Sequence, residues 1–388
     1  MSAWSATPPG LRVVVVAETF SPAVNGVVNS VLRVVDHLAV RGHQAVVVAP
    51  SGTSYQSPCG AQVEVVTVPS LRLPVYRRLA LARPGAEVAD LLADLAPDVV
   101  HLASPAVLGA AAGRAAQALG IPSVAVFQTD LAAYARRYGI PGGPAAAWRV
   151  LRSVHATADL TLAPSTASVA MLRRQGIGPV ALWARGVDLT QFTPQRRDEA
   201  LRRELAPDGE LLVGVVARLA LEKRLHLLAE VSRLPGVRLV VVGDGPRARQ
   251  LARAMPQAVF LGQRTGPELG GIVASLDLFV HPGADETFGQ AVQEALAAGV
   301  PVVVAASGGP LDLVRHGENG WLWAGSDPAV LAAVVAGLRD DRLLLRAVAS
   351  RTRTSVAEHT WGRVGDQLIG HYGHVLAHRG KAAQRLSA

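Results

Sequence analysis

Short, nearly uninterrupted apolar runs recur along the chain, each closed by Gly, Pro or polar residues, and they alternate with longer stretches of helical periodicity. The first series predicts strands at Arg12–Ala17, Gln44–Ala49, Val63–Val68, Val99–Leu102, Ser123–Phe127 and Thr161–Ala163, with helices between them such as Val28–Arg41. A second series opens at Leu211–Val216 and continues through Arg238–Val242, Ala258–Leu261, Leu276–Val280 and Pro301–Ala305. Strand and helix alternating in this way predict α/β domains built on doubly wound parallel sheets. Between the series lies Trp183 to Pro194, whose Gly186 and Pro194 mark the crossing from one domain to the next. No repeat shorter than a domain is evident.

Composition agrees with that organisation. A chain of 388 residues, half of them hydrophobic, supplies two cores of ordinary size. Cys59 is the single cysteine, which excludes an intramolecular disulfide, fits a reducing compartment and leaves packing as its role. Met1–Gly10 is polar and Pro-rich, and Val13–Val16 is too short for a signal core or a membrane span, so a cytoplasmic location is expected. The net charge of +8 points to an acidic partner. Nucleic acid is disfavoured by the lack of an aromatic-rich or zinc-based reading motif, leaving a nucleotide or an anionic lipid surface. The basic and apolar stretch Leu71–Arg83 reads equally as a leaflet contact at the inner face of the membrane and as an ordinary Arg-rich surface segment.

Candidate chemistry concentrates in the second series. Asp285-Glu286-Thr287-Phe288-Gly289-Gln290-Ala291-Val292-Gln293-Glu294 follows an apolar strand and leads through a helix to the next strand. Its two glutamates stand amid apolar neighbours. This pattern predicts Glu286 near the helix N-terminus and Glu294 about two turns on, with the amides of Thr287, Phe288 and Gly289 facing an anion or a sugar hydroxyl. A solvated cap plus a second Glu in an ion pair is the plainer reading. Lys223 is the other distinctive residue: the chain has only two lysines, and this one ends Arg218-Leu219-Ala220-Leu221-Glu222-Lys223, where an apolar strand enters a basic turn. A guanidinium fork and an ammonium point charge suit different oxygens of one diphosphate, although a basic surface turn would look the same.

The glutamate segment and the following Ala295–Val304 resemble the glutamate-X7-glutamate signature of family 4 glycosyltransferases, and Arg218–Lys223 resembles that family's R-L-x-x-E-K phosphate motif. The resemblance implies the GT-B fold, with two Rossmann-like domains facing a central cleft. Residues 1–188 would form an acceptor-binding domain with 360–388 packed back on it, and 189–359 a donor-binding domain. It implies that Glu286 approaches the donor sugar and Glu294 binds the nucleotide ribose. Gly243 and Gly245 would lie near the nucleotide; a dinucleotide fingerprint is excluded there because the third glycine is missing and Pro246 follows. Ser307–Asp312 similarly looks like a donor-domain loop.

In the first domain, the loop Glu18–Val27 carries Gly26, which the resemblance places beside the donor phosphate; a plain strand-to-helix turn is the alternative. Pro22 and Asn25 shape the same loop. Gln128, Thr129, Asp130 and Tyr134 follow a strand whose end faces the ligand crevice of such sheets. The family often has His where this chain has Gln128, and an amide cannot act as acid or base. Asp130 is then the nearest ionisable group to orient an acceptor, or a helix cap. Arg185 would guide an anionic acceptor or the donor phosphate, and His101 is expected to be structural.

No Asp-X-Asp and no His/Cys cluster occurs, so neither a metal nor another cofactor is expected. Arg218 and Lys223 would instead carry the charge growing on a departing nucleoside diphosphate. The resemblance implies retention at the anomeric carbon, by front-face attack or, less simply, with Glu286 as nucleophile. The same segments resemble actinobacterial GDP-mannose-dependent α-mannosyltransferases of glycolipid synthesis and sulfoquinovosyl lipid synthases. The expected reaction is mannosyl transfer from GDP-mannose to a glycolipid. Alternatives are a UDP-sugar donor with a lipid or soluble natural-product acceptor, a sugar-nucleotide epimerase, and a noncatalytic sugar-nucleotide binder.

Overall fold

The computed structural model describes residues 10–21, 26–72, 80–82, 85, 87–104 and 106–386. Pro22 and Asn25, and residues 73–79 and 83 of the basic stretch, lie outside the described residues. The chain divides into two compact units. One comprises Met1–Ala132, Pro141–Ala184 and Trp361–Ala388, the other Ala133–Ile140 and Arg185–Thr360. The short segment 133–140, which sequence pattern alone leaves in the first domain, belongs to the second unit.

The first unit is built on a sheet ordered Val180–Leu182, Leu160–Ala163, Ser123–Val126, Val99–Leu102, Arg12–Val16, Gln44–Ala49, Gln62–Thr67 and Tyr55–Gln56. All neighbours are parallel except the last pair. Val13–Val16 are buried on both faces because helices cover both, which is why this strand reads as a continuous apolar run. The final helix, Trp361–Leu386, packs here. Val364, Leu368, Tyr372 and Val375 recur at helical spacing and are buried, while Trp183 Nε1 donates to the Val364 carbonyl at 2.9 Å. His101 is buried against the same helix, 2.8 Å from the Tyr372 hydroxyl, and burial pushes its pKa down to about 3. It is a structural histidine.

The second unit has a fully parallel sheet ordered Val259–Gly262, Val237–Val242, Leu211–Val216, Leu278–His281, Val302–Ala305 and Gly320–Trp323. The edge strand Gly320–Trp323 escapes the sequence reading because it is only four residues long and opens on a glycine, which strands disfavour. Parallel strands deliver all their C-terminal loops to one edge of the sheet, where ligands of open α/β sheets bind. The loops that begin at Ala217, Gly243, Pro282 and Ala306 therefore share that edge. Among the described residues, no helix is long and apolar enough to cross a membrane.

Candidate active site

Leu278–His281 ends in Pro282-Gly283, and the chain stays irregular until the helix Gln290–Ala297. Glu286 is thus four residues ahead of the helix rather than in its first turn. Gly289 is the reason: it caps the helix at φ +101, a left-handed conformation costly for other residues, and this turns the chain before helical geometry begins. Thr287 lies in the loop, and Phe288 puts its side chain into the core.

Two donors converge on one oxygen of Glu286. Lys223 Nζ donates to Oε1 at 2.5 Å, and His281 Nε2 stands 2.8 Å from the same atom. Lys223 and Glu286 are both largely buried, and His281 almost wholly. Burial pushes the carboxyl up, but the Lys223 charge and His281 outweigh it and hold Glu286 far below the usual carboxylate range. Burial likewise disfavours the Lys223 ammonium, and Glu286 reverses this so that its pKa ends raised. Nδ1 of His281 is buried without a partner among the described residues, so the ring meets Glu286 through Nε2 alone. Oε2 of Glu286 is left without a protein hydrogen bond among the described residues and is the atom available to a ligand.

Arg218 is spread differently. Its Nη2 donates to Glu222 Oε1 at 2.6 Å, and Tyr138 donates its hydroxyl to Glu222 Oε2 at 3.1 Å, while the Arg218 side chain remains exposed. The two cations of the basic turn therefore hold two different carboxylates. Gly243 and Gly245 abut that turn: a Cβ on Gly243 would lie 1.9 Å from the Ala217 carbonyl oxygen, and one on Gly245 2.6 Å from that of Leu219. Their bareness lets the backbone pack against Arg218's flanks. Tyr134 is within electrostatic reach of Lys223 and Glu286, and burial raises its phenol. Beside the loop, Arg137 pairs with Asp285 at 2.5 Å, and a cavity of about 340 Å³ is lined by Ala133, Arg136, Arg137 and Asp285. A larger cavity of about 600 Å³, between Gln195 and Ile272, contains none of these groups.

Glu294 sits one face round the helix, with Gln290 Nε2 donating to Oε1 at 3.3 Å. Burial dominates and lifts its pKa to about 7. Gln290 and Gln293 tie the helix to the domain-crossing segment through the carbonyls of Gly186 and Arg185, at 3.1 Å each. Burial lowers the Arg185 guanidinium to about 10. Ser307–Asp312 locks the Glu286 loop from beneath: the Gly309 amide donates to the Glu286 carbonyl at 2.8 Å, and Ser307 Oγ to that of Ala284 at 3.0 Å. Among the described residues no group of three His, Cys, Asp or Glu side chains is placed to hold a metal ion.

The first unit's candidates are described separately. Gly26 opens the helix Gly26–Val40, and a Cβ there would meet no described atom within 4 Å. Gln128 Nε2 donates to the Ala103 carbonyl at 2.7 Å, and Thr129 and Asp130 lead directly into the helix Leu131–Arg137. Glu18 Oε1 accepts the Leu108 and Gly109 amides at 2.7 and 3.2 Å, capping a helix from a distant loop. Burial nevertheless raises its pKa. Of the site residues, His281 is not singled out by sequence, and Glu222 stands there only within the R-L-x-x-E-K motif, without a role. His281 carried a signal, a polar ring ending an apolar strand at the ligand edge.

Residues 24–191 match the model of Glycosyltransferase Family 4, and residues 196–355 that of Glycosyl transferases group 1. The GDP-mannose-dependent alpha-mannosyltransferase of Mycolicibacterium smegmatis is 46% identical over 95% of this chain and 99% of its own length. The chain belongs to glycosyltransferase family 4. The enzyme of the same description from Corynebacterium glutamicum is 44% identical, over 95% of this glycosyltransferase and 90% of the relative. Sulfoquinovosyl transferase SQD2 of Arabidopsis thaliana is 31% identical over 87% and 68%. Among solved structures, Anabaena HepE in complex with UDP and glucose superposes at TM-score 0.74 with 20% identity, covering 94% of this chain and 99% of that one. That likeness establishes the GT-B architecture of the glycosyltransferase.

Chemically, the arrangement offers a carboxylate that its two donors hold in the ionised form, with one oxygen not engaged by them, a buried ammonium beside it and an exposed guanidinium on the adjoining turn. It also offers a second carboxyl that changes protonation near neutrality. For a glycosyltransferase these are the means to hold sugar hydroxyls and to stabilise an anionic leaving group.

Proposed function

We propose that this enzyme transfers a mannosyl residue from GDP-mannose to a glycolipid acceptor, with retention at the anomeric carbon. What carries the reading is the 44–46% identity, over 95% of the chain, to GDP-mannose-dependent alpha-mannosyltransferases. Glu286 Oε2 accepts hydrogen bonds from donor-sugar hydroxyls. Lys223, already charged and desolvated beside it, turns part of its charge to the leaving diphosphate. Arg218 reaches the same group from its exposed position. Glu294 accepts from the ribose hydroxyls in its ionised form. Gly26 contributes its helix end to the donor phosphate. Gln128, Thr129, Asp130, Tyr134 and Arg185 orient the acceptor. Front-face attack, in which a leaving phosphate oxygen takes the acceptor proton, fits a Glu286 held at Oε1 by two donors better than attack by Glu286 itself. No metal or other cofactor enters this scheme. The enzyme works at the cytoplasmic face of the membrane, where its acceptor is presented.

Transfer of another glycosyl group, from a uridine nucleotide, is the second reading, because the chain is also 31% identical to a transferase of a sugar other than mannose, the sulfoquinovosyl transferase. Thermal shifts with GDP, GDP-mannose, UDP, UDP-glucose and UDP-N-acetylglucosamine decide between them, because a ligand preferring the folded state raises Tm. Stabilisation confined to GDP and GDP-mannose is expected. Stabilisation confined to uridine nucleotides overturns the donor, and release of GDP without an acceptor would speak against transfer.

A further inference from the structure

At the opposite edge of the second unit's sheet, where the strands begin, a cavity of about 250 Å³ is lined by Arg197, Arg202, Arg342 and Arg346. Asp277, just before the strand Leu278–His281, is the one acidic residue in its wall. Asp277 is already committed. It meets Arg202 at 3.0 Å, Arg197 at 3.4 Å and Arg342 at 3.7 Å, and Oδ2 also accepts the Leu212 amide at 2.9 Å. Glu199 adds a second carboxylate against Arg197, at 2.8 Å. Four guanidinium groups thus share two carboxylates, an excess of two positive charges. Arg346 makes no hydrogen bond or ion pair among the described residues.

The local sequence makes this excess costly without a ligand. Arg342 and Arg346 stand at i and i+4 of the helix Arg342–Val356, where like charges repel. Asp341 caps that helix, its carboxylate accepting the Leu344 amide at 2.9 Å, so the helix N-terminus already has its negative charge and the imbalance lies in the arginines themselves. Arg202 on the helix Glu199–Leu205, Arg197 in the turn before it, and Arg342 and Arg346 on the helix Arg342–Val356 present guanidinium forks to one cavity, and such forks match phosphate oxygens, which accept paired N–H donors.

We infer that the Arg197–Arg202–Arg342–Arg346 cavity binds a phosphate-bearing anion, a di- or polyphosphate or the phosphate headgroup of a lipid, at a site separate from the Glu286 site. Arg202 and Arg197 form its fixed wall, and Arg342 and Arg346 close on the ligand. Two exposed leucines, Leu343 and Leu344, stand between Arg342 and Arg346 in sequence, apolar surface that suits the lipid bearing a headgroup and that a free anion does not need.

The test compares the wild type with Arg346→Glu and with Arg342→Ala/Arg346→Ala. Arg346 is exposed and makes no hydrogen bond or ion pair among the described residues, so its reversal breaks no bond of the fold described here. Inorganic pyrophosphate is titrated in a thermal-shift assay at constant ionic strength, and flotation is run with phosphatidylcholine vesicles with and without phosphatidic acid. Losing one or two charge-assisted contacts predicts about tenfold or greater weakening in the variants. A pyrophosphate shift reduced in both variants supports a free anion. Flotation on phosphatidic acid, reduced in both variants, supports a headgroup. If neither probe distinguishes the variants from the wild type, the site does not exist.

Discussion

Glu286 and Glu294 are eight residues apart, both are largely shielded from water, and their surroundings push them in opposite directions. Glu286 has a cation and an imidazole on one oxygen and stays charged. Glu294 has only an amide donor, and burial lifts it to about 7. Lys223→Ala would remove the cation and strand the carboxylate. Turnover should fall roughly 10²–10³-fold, the scale for one preorganised charge stabiliser, and unliganded stability by about 3–5 kcal/mol, the scale for breaking a buried pair. Near-full turnover in the variant would reject the role. For Glu294 the sign is fixed by a folded pKa above the unfolded 4.5. Its contribution to stability is complete below about 4.5 and is lost as pH rises through about 7. Glu294→Gln should therefore flatten Tm between those values and weaken nucleotide binding, whereas wild-type affinity for nucleotide should rise over the same interval. A variant with an unchanged Tm–pH curve would show that Glu294 is not the titrating group. Lys223 and Glu286 were legible because a rare Lys and a Glu in an apolar setting are conspicuous. Their direct contact was not, since a separation of 63 residues leaves no mark on local pattern.

At the level of elements, the strands were legible because buried parallel strands demand unbroken β-branched runs, and Val13–Val16 and Val240–Val242 supply them. The start of the Gln290–Ala297 helix was not. Thr287, Phe288 and Gly289 continue a plausible first turn, and only the backbone shows that Gly289 breaks it at φ +101. The glycines that matter most act by allowing approach rather than by facing a ligand. Gly308 has φ +68, and a Cβ there would stand 2.4 Å from the Glu286 carbonyl oxygen. Gly317 has φ +80 with nothing nearby. Gly317→Ala should cost only the left-handed strain, about 1–2 kcal/mol. Gly308→Ala should cost more and also reduce turnover, because the Glu286 loop must move. Equal Tm losses, with turnover retained in both, would show that the loop is not held in this way.

For the whole molecule, the first unit is assembled from three stretches of chain, the last of them contributed after the second unit is complete. Sequence periodicity identifies a helix near the C-terminus but not what it covers; the structure puts Val364, Leu368, Tyr372 and Val375 in the first unit's core. At about 1.5–3 kcal/mol for each large buried side chain, these four contribute roughly 6–12 kcal/mol, comparable with the net stability of an entire domain. Among the described residues, the second unit's core ends with Val348 in the helix Arg342–Val356, and 361–388 is assigned to the first unit. Ending the chain after Thr360 should therefore unfold the first unit and spare the second. Limited proteolysis should digest the stretches up to Ala184 while a fragment close to Arg185–Thr360 persists with its own thermal transition. A truncated chain that melts once, at the wild-type temperature, would mean that the final helix is dispensable to the first core. That result would be difficult to reconcile with a Tyr372 that has no exposed surface and with a His101 whose ring nitrogen meets the Tyr372 hydroxyl at 2.8 Å.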